Sequence, residues 1–346
     1  MLYDYRSADT DMALEFRIIR LAGVQPWDRG AEVFYGGGGT YPNDSPVASA
    51  WLSLRRIYRL TFGSAVSSLG VPGPRVATLW LRSDNLGRVA SALRRLRPTV
   101  IYSRPSYLRR LAEILRLGGG VLPVPKLIVT GEYLSKRCGR ELEELYQTEL
   151  FDTYGSNEMG ALASECKGHC GLHLNADFFV FEVLRDGEPV APGEPGEVVI
   201  TSLHNELMPL IRYRQGDSVV PMDGGRCNCG SNLPRLRVVE GRLEDGLLSK
   251  EGLRIPPGRI IEHLEGALGL RDYQVIQRDS RRVRLRLPST LDTVQVIVHV
   301  QEYLGSLLGG DIDLEVETVP DGELPVKYRS VISQVKDPNS ASVSGR

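Results

Sequence analysis

The sequence lacks any apolar run approaching the roughly 20 residues of a membrane span, so it predicts no transmembrane segment. Its first residues, MLYDYRSADTDMALEF, have neither a basic start nor an apolar core, and they predict no signal peptide. The formal net charge is only −1, whereas a dedicated nucleic-acid binder carries a clustered basic excess. We therefore expect a cytoplasmic protein that binds neither membranes nor nucleic acid.

Lysine is also scarce, with six lysines among the 42 basic residues. This scarcity makes each lysine near a motif easier to judge. Hydrophobic residues at 42% and charged residues at 25% are ordinary for a globular protein. The length of 346 residues predicts two or three domains.

Five cysteines are present, and four of them lie in two tight groups. Cys138 stands alone in a helical pattern, and we interpret it as buried or inert. The first group is CKGHCGLH and the second is CNCG, which together supply six candidate ligands for a tetrahedral zinc site: Cys166, His169, Cys170, His173, Cys227 and Cys229. The alternatives are unpaired thiols, or a disulfide in an oxidising compartment.

The first half of the chain alternates between helical and strand patterns. Helices are predicted over 86–96, 106–117 and 135–149, and strands over 99–103, 126–130 and 150–154. Such alternation indicates a parallel sheet covered by helices. The fold class is therefore α/β, with residues 1–240 as the large domain.

The second half of the chain has a different pattern of apolar residues. Short apolar segments separated by Gly, Pro and Asn over 170–240 predict an antiparallel or barrel-like β region. Residues 241–335 then predict a small α+β lid of ferredoxin-like order, with helices at 258–267 and 291–308 and strands at 273–278, 283–287 and 312–318. Residues 336–346 are polar and predict a disordered tail.

Four motifs carry the chemistry. Thr130-Gly-Glu and Tyr154-Gly-Ser-Asn-Glu158-Met-Gly each end a predicted strand, where open α/β sheets bind ligands. Glu158 is a carboxylate able to hold Mg²⁺ through oxygen. The segment PLIRYRQGD ends in Asp217, which suits paired ribose hydroxyls, and GRLED marks the start of the small domain. Each motif alone is weak, but their order is informative.

In this order the motifs resemble the adenylate-forming superfamily, and specifically its phenylacetate–coenzyme A ligase branch. The resemblance runs from about residue 10 to about residue 335 and is most specific in MPLIRYRQGD and the paired Cys/His groups. It also includes GVQPWD, YGGGG, RPSYLRRLAEIL, VTGE, YGSNEMG, GLHLN, GEPGEVVITSL and GRLEDGLL. It implies a two-step reaction. A carboxylate, with an aryl acid expected, attacks ATP to give an acyl-adenylate and pyrophosphate, and then coenzyme A displaces AMP after the lid rotates.

The resemblance also implies site residues. Adenine would be framed by Gly131, Glu132, Tyr154 and Gly155, and the ribose would be held by Asp217 and Arg242. Glu158 would approach Mg²⁺, Glu244 would be the hinge, and Lys327 would stabilise charge during adenylation. A structural zinc would be bound by Cys166, His173, Cys227 and Cys229, leaving His169 and Cys170 as spares.

One family element has no counterpart in the sequence. Relatives carry a Ser/Thr/Gly-rich phosphate-binding loop before the region that matches residue 10. The run Gly36–Gly39 lacks a lysine and instead matches an element that lines the acyl pocket. Three explanations are open: a misplaced gene start, a second chain that supplies the loop, or a degenerate homologue that binds nucleotide or acyl group without turnover. An enzyme that adenylates without making a thioester is a further alternative, and a homodimer is a further expectation.

Overall fold

The computed structural model describes residues 5–25, 28–35, 75–81, 85–117, 120–289, 294–320 and 329–335. The helices of these ranges are α1 (Tyr5–Leu21), α2 (Leu86–Leu96), α3 (Pro105–Leu117), α4 (Lys136–Tyr146), α5 (Pro257–Leu268) and α6 (Val294–Leu308). The first nine strands are β1 (Arg29–Tyr35), β2 (Arg75–Leu81), β3 (Val100–Ser103), β4 (Lys126–Thr130), β5 (Glu149–Ser156), β6 (Gly160–Ser164), β7 (Leu172–Leu174), β8 (Phe179–Arg185) and β9 (Glu188–Pro189). The others are β10 (Gly196–Ser202), β11 (Tyr213–Pro221), β12 (Arg235–Arg242), β13 (Leu247–Leu248), β14 (Arg254–Ile255), β15 (Gln274–Gln277), β16 (Arg282–Pro288), β17 (Asp313–Val319) and β18 (Val331–Ser333).

One continuous sheet runs through the large domain. Its first part is parallel, in the order β2-β1-β3-β4-β5, as the alternation of helices and strands predicted. From β5 onward the neighbours are antiparallel, in the order β5-β6-β7-β12-β11-β10-β8-β9. The predicted parallel part and the predicted antiparallel part of the sheet are therefore both confirmed, and β5 belongs to both parts.

Helices α2, α3 and α4 cover the parallel part of the sheet. Their buried apolar faces pack with strand residues in one cluster that includes Leu93, Leu111, Leu127 and Leu142. Cys138 lies in this cluster and is buried, as predicted, and burial raises the pKa of its thiol to about 12.

Helix α4 is shorter than the predicted helix over 135–149. It begins after Ser135, whose Oγ accepts a hydrogen bond from the N–H of Cys138 at 3.0 Å. It ends at Tyr146 because Gln147 adopts a left-handed conformation (φ 48°) and its N–H turns back to the carbonyl of Glu143. The apolar periodicity predicted the helix itself, whereas the left-handed cap at a glutamine has no strong sequence signal.

The C-terminal unit has its own core. Its sheet has the order β17-β16-β15-β18, and α5 and α6 contribute Leu264 and Leu304 to the cluster beneath it. This mixture of helices and strands agrees with the predicted α+β unit, and its role as a lid stays a prediction. In contrast to a fully antiparallel ferredoxin-like sheet, each outer strand is parallel to its inner neighbour. Within the described ranges, no helix has the length and apolar character to cross a membrane.

The turn between β5 and β6 depends on a glycine. A Cβ atom on Gly155 would lie 2.5 Å from the carbonyl oxygen of Gly160, which is closer than real contacts allow. The β5–β6 register shifts at this point, between Tyr154 and Gly155. The absence of a side chain therefore lets the two strands approach where the sheet changes from parallel to antiparallel.

We expect Gly155→Ala to lower the free energy of unfolding by about 1–3 kcal/mol, because the added methyl group overlaps backbone that cannot move freely. Gly87→Ala is the matched control, since a Cβ on Gly87 in α2 would contact nothing within 4 Å. Urea unfolding of both variants measures the difference. Equal stability of the two variants would contradict this account of the turn.

Candidate functional site

The carboxyl ends of β4 and β5 form the floor of the candidate site. These strands are parallel, and Thr130 at the end of β4 pairs in register with Thr153 in β5. Gly131 and Gly155 follow these two residues at the same edge of the sheet. The prediction that the VTGE and YGSNEMG motifs meet at one edge is confirmed. β5 extends two residues farther than predicted at its end, so that Gly155 and Ser156 belong to the strand and only 157–159 form the turn.

A buried hydrogen-bonded group lies beside this floor. The hydroxyl of Tyr154 donates to Oδ2 of Asp217 at 2.7 Å, and the side-chain amide of Gln215 donates to the same Oδ2 at 2.9 Å and to the Tyr154 oxygen at 3.0 Å. All three residues are buried. Burial, followed by the charge of Asp217, raises the pKa of Tyr154 well above its ordinary value, so the phenol stays a hydrogen-bond donor.

The hydrogen bond between Tyr154 and Asp217 also shows that the sheet is curved. Tyr154 is in β5 and Asp217 is in β11, and three strands lie between them in the sheet order. In a flat sheet, strands four steps apart would be separated by about 19 Å. The 2.7 Å hydrogen bond therefore requires the antiparallel part to curl back, aided by the register shifts between Ser218 and Val219 and between Val220 and Pro221. This agrees with the predicted barrel-like region.

Arg242 stands opposite Asp217. The two residues are register partners in the β11–β12 pair, and Nη1 of Arg242 lies 3.4 Å from Oε1 of Glu244. Burial lowers the pKa of Arg242, but Asp217, Glu244 and Glu158 together raise it, so Glu158 acts on the same guanidinium. In the structure, the charges of three predicted site residues act on a fourth, Arg242: these three are Asp217, Glu158 and Glu244.

Gln215 is a site residue for which sequence reasoning assigned no role. Its Oε1 atom is buried and has no hydrogen-bond partner among the described residues, although its amide nitrogen makes two bonds. A buried acceptor without a partner calls for a ligand or water. The available signal was alternation along a strand, because Gln215 and Asp217 are two apart and lie on the same face of β11.

Glu132 makes hydrogen bonds to Ser106 that the sequence did not predict. Its carboxylate accepts hydrogen bonds from the N–H of Ser106 at 3.0 Å and from the Ser106 hydroxyl at 2.7 Å, in the first turn of α3. Burial raises the pKa of Glu132 and these two bonds lower it, with a net rise. The carboxylate therefore serves a helix N-terminus, and the proposed contact of Glu132 with adenine stays a prediction.

The predicted hinge lies in a short 3-10 turn, Leu243–Asp245. Glu244 is exposed, whereas Oδ1 of Asp245 accepts a hydrogen bond from Nη1 of Arg329 at 2.8 Å, which ties the turn to the last segment of the lid. Lys327, Lys336 and the run Gly36–Gly39 lie outside the described residues. Their predicted roles therefore stay predictions.

The cysteine groups meet as predicted. One ligand atom from each of Cys166, His173, Cys227 and Cys229 lies within 4.8 Å of all the others. Sγ of Cys166 is 3.7 Å from Sγ of Cys227, and Sγ of Cys229 is 3.5 Å from Nε2 of His173. Around a tetrahedral zinc, with Zn–S about 2.3 Å and Zn–N about 2.0 Å, two sulfurs lie about 3.8 Å apart and a sulfur and a nitrogen about 3.5 Å apart. These residues therefore fit a zinc ion.

The two spare residues are now distinguishable. His169 packs against Phe151 with the two rings tilted, and its ring nitrogens lie 3.3 and 3.6 Å from the carboxylates of Glu149 and Glu165. Sγ of Cys170 is only 2.8 Å from Sγ of Cys227, which is shorter than the sulfur–sulfur separation in a tetrahedral zinc site. This geometry favours the predicted ligand set over one that contains His169 or Cys170.

The thiol cluster is remote from the candidate nucleotide site. β6 runs from the turn at 157–159 to Ser164, and the cluster follows Ser164, where β6 pairs with His173 of β7. Five residues of strand span about 16 Å. Since the four protein ligands leave no open coordination position, a metal there would be structural.

Comparison with known proteins adds to this geometry. No protein-family model matches the chain. The phenylacetate–coenzyme A ligase of Thermus thermophilus is 27% identical over 249 residues, which cover 70% of this chain and 54% of that protein. The Escherichia coli enzyme of the same name is 28% identical over 257 residues, which cover 68% of this chain and 57% of that protein. The chain spans about half the length of the curated relatives that it matches.

Solved structures give the same picture of the fold. A 2-hydroxyisobutyryl–coenzyme A ligase, in its postadenylation state with an acyl-adenylate, matches with a TM-score of 0.70 at 19% identity, covering 96% of this chain and 71% of that chain. An anthranilate–coenzyme A ligase in complex with anthranoyl-AMP matches with a TM-score of 0.63 at 14% identity, covering 94% and 60%. The fold is that of the adenylate-forming coenzyme A ligases. In sequence, the chain is similar to the phenylacetate–coenzyme A ligases, as its motifs indicated.

We expect Cys227→Ser to lower the zinc content of the purified protein by at least half, because it removes the thiol at the centre of the cluster. Cys170→Ser, which removes the neighbouring thiol outside the set, should keep its zinc. Metal analysis together with thermal unfolding measures both effects. A metal-free wild-type protein, or equal zinc loss in the two variants, would contradict the assignment.

Proposed function

We propose that this chain is the nucleotide-binding and lid portion of an ATP-dependent acid–thiol ligase. It would activate an aryl carboxylic acid as an acyl-adenylate and transfer the acyl group to coenzyme A. The observation that carries this proposal is the buried Tyr154–Gln215–Asp217 group beside Arg242, in a homologue of phenylacetate–coenzyme A ligases. The names of those relatives support an aryl acid as the substrate.

In this proposal the buried group binds the nucleoside. The Asp217 carboxylate accepts hydrogen bonds from the ribose hydroxyls, while Tyr154 and Gln215 fix its orientation. The unpartnered Oε1 of Gln215 offers an acceptor to a ligand N–H or O–H group. Arg242, the register partner of Asp217, would hold the ribose together with it.

The other expected ligands are assigned to separate elements. Glu158, in the β5–β6 turn, would approach Mg²⁺, because this ion takes one or two protein carboxylates together with substrate phosphates. Zinc would be held by Cys166, His173, Cys227 and Cys229 as a structural ion. Residues 241–335 would form the lid that turns about Glu244 between the two half-reactions.

The nucleotide site is tested with Asp217→Asn. We expect this variant to bind AMP about 10–100-fold more weakly, because hydrogen bonds to a charged acceptor are lost while the shape is kept. Asp186→Asn is the matched control, since Asp186 is exposed in the β8–β9 turn and its left-handed conformation (φ 54°) suits asparagine. Calorimetric titration with AMP measures the affinity.

The reaction is tested on the wild-type protein with ATP, coenzyme A and a panel of aryl acids. Pyrophosphate release with a thioester product supports the ligase, and an adenylated product without a thioester indicates a different acceptor. AMP binding without pyrophosphate release, with or without an added partner chain, would favour the non-catalytic alternative. Equal AMP affinity in the two Asp→Asn variants would contradict the assigned site.

Lys327 is proposed from the resemblance as the lysine that stabilises charge during adenylation. In a working ligase, Lys327→Ala should slow adenylation by about 10²–10³-fold, because one placed charge-stabilising donor is removed. Thioester formation from a preformed acyl-adenylate should largely survive. Lys336→Ala removes the same charge nine residues later and is the control.

Separate assays of the two half-reactions measure the effect of Lys327→Ala. Equal losses in both half-reactions would indicate a structural role for this lysine. A rate equal to that of Lys336→Ala in both would show that another residue stabilises the charge.

A further inference from the structure

The lid contacts the large domain through two glutamates of α5. Glu262 and Glu265 are three residues apart and therefore lie on the same face of the helix. Both carboxylates are directed at the N-terminal end of α4, where Ser135 and Lys136 begin the helix. Neither residue belongs to the candidate nucleotide site or the thiol cluster.

Glu265 is the buried member of the pair. Its Oε2 accepts a hydrogen bond from the Ser135 hydroxyl at 2.5 Å and a second from Nη2 of Arg109 in α3 at 3.0 Å. The Glu265 side chain is 7% exposed and that of Arg109 is 16% exposed. Burial lowers the pKa of Arg109, but Cys138, Glu265 and Glu141 raise it overall, so the guanidinium stays charged.

Glu262 completes the contact on the rim. Its Oε2 accepts hydrogen bonds from the Tyr133 hydroxyl at 3.2 Å and from the backbone N–H of Lys136 at 3.1 Å. The latter is one of the first four N–H groups of α4, which have no partner within the helix. Burial, followed by the charge of Glu262, raises the pKa of Tyr133, which keeps this phenol a donor.

The surrounding packing is as close as the polar contacts. A Cβ atom on Gly258, at the start of α5, would lie 2.6 Å from Cε2 of Tyr133 and 2.8 Å from the carbonyl oxygen of Glu240. A second ion pair, between Arg271 of the lid and Glu141 of α4, spans 3.0 Å. The lid helix therefore fits α4 in one specific position rather than resting on it loosely.

The charges explain why this position is selected. The N-terminus of a helix carries partial positive charge and free N–H groups, and it is a favourable site for carboxylates. A buried carboxylate that loses its partners is strongly destabilised. The Ser135 hydroxyl accepts the capping hydrogen bond of α4 and also donates to Glu265. This one hydroxyl therefore links the N-terminus of α4 in the large domain to a carboxylate of the lid.

We propose that Glu262 and Glu265 are the positioning residues of the lid, which dock α5 on the N-terminus of α4 and hold the two domains in this arrangement. The docking surface comprises Glu262 and Glu265 on the lid and Arg109, Tyr133, Ser135 and Lys136 on the large domain. The lid leaves this position by exchanging these contacts for water. The strength of the carboxylate pair therefore sets the fraction of molecules in which the lid is docked.

Hydrogen exchange of the full chain tests the docking, with Glu262→Gln/Glu265→Gln as the variant. Amides in the first turn of α4, 136–139, should exchange about tenfold or more faster, because the Lys136 N–H and the shared cap lose a charged partner. Amides in the last turn, 143–146, should keep their wild-type rates. A general loss of stability in α4 would instead raise the exchange rates at both ends of the helix.

Glu302→Gln is the matched control, since it removes one exposed carboxylate from α6 of the same lid. It should leave all exchange rates at their wild-type values. Wild-type exchange in the double variant, or equal acceleration at both ends of α4, would overturn the proposal. If the double variant fails to fold, Glu262→Gln alone, at the less buried carboxylate, should accelerate exchange in the first turn selectively. This docking does not depend on ligase activity, so a negative reaction assay leaves it testable.

Discussion

The hydrogen bond between Tyr154 and Asp217 joins the two parts of the large domain (2.7 Å). One partner comes from the last parallel strand and the other from an antiparallel strand four steps farther along the sheet. The bond exists only if the sheet curls, and the curl in turn depends on the turn at Gly155 and the register shifts in β11. The candidate nucleotide site is therefore a product of sheet geometry, since its side chains come from strands that are distant in the ladder.

The same geometry separates the roles of the two ends of β6. One end carries the turn with Glu158, whose charge raises the pKa of Arg242, and the other end leads into the thiol cluster. A strand of five residues thus has a candidate chemical site at one end and a candidate metal site at the other.

Sequence reasoning reached the architecture because the periodic patterns are long and consistent. It also placed the motifs at one sheet edge and selected the cluster of cysteines and histidine. It could not assign Gln215, because the importance of an alternating polar residue depends on which strand curls against it. Likewise, the Glu132 carboxylate caps α3 through Ser106, a tertiary contact between residues 26 apart that no local pattern indicates. In the sequence, Glu265 is typical of an exposed helix position, and only the packing of α5 against α4 shows that it is buried.

The thiol cluster has a consequence for the unfolded chain. Cys166 and Cys227 are 61 positions apart in the sequence, and five strands of the sheet, β7 to β11, lie between them. A shared ion would tie these positions into a closed loop, much as a disulfide does. Unlike a disulfide, such a site rarely persists in an unfolded chain, because its ligands come from positions far apart, so metal held there would be released on unfolding. Its binding free energy would therefore add to the stability of the folded chain, and unfolding would depend on the concentration of free metal.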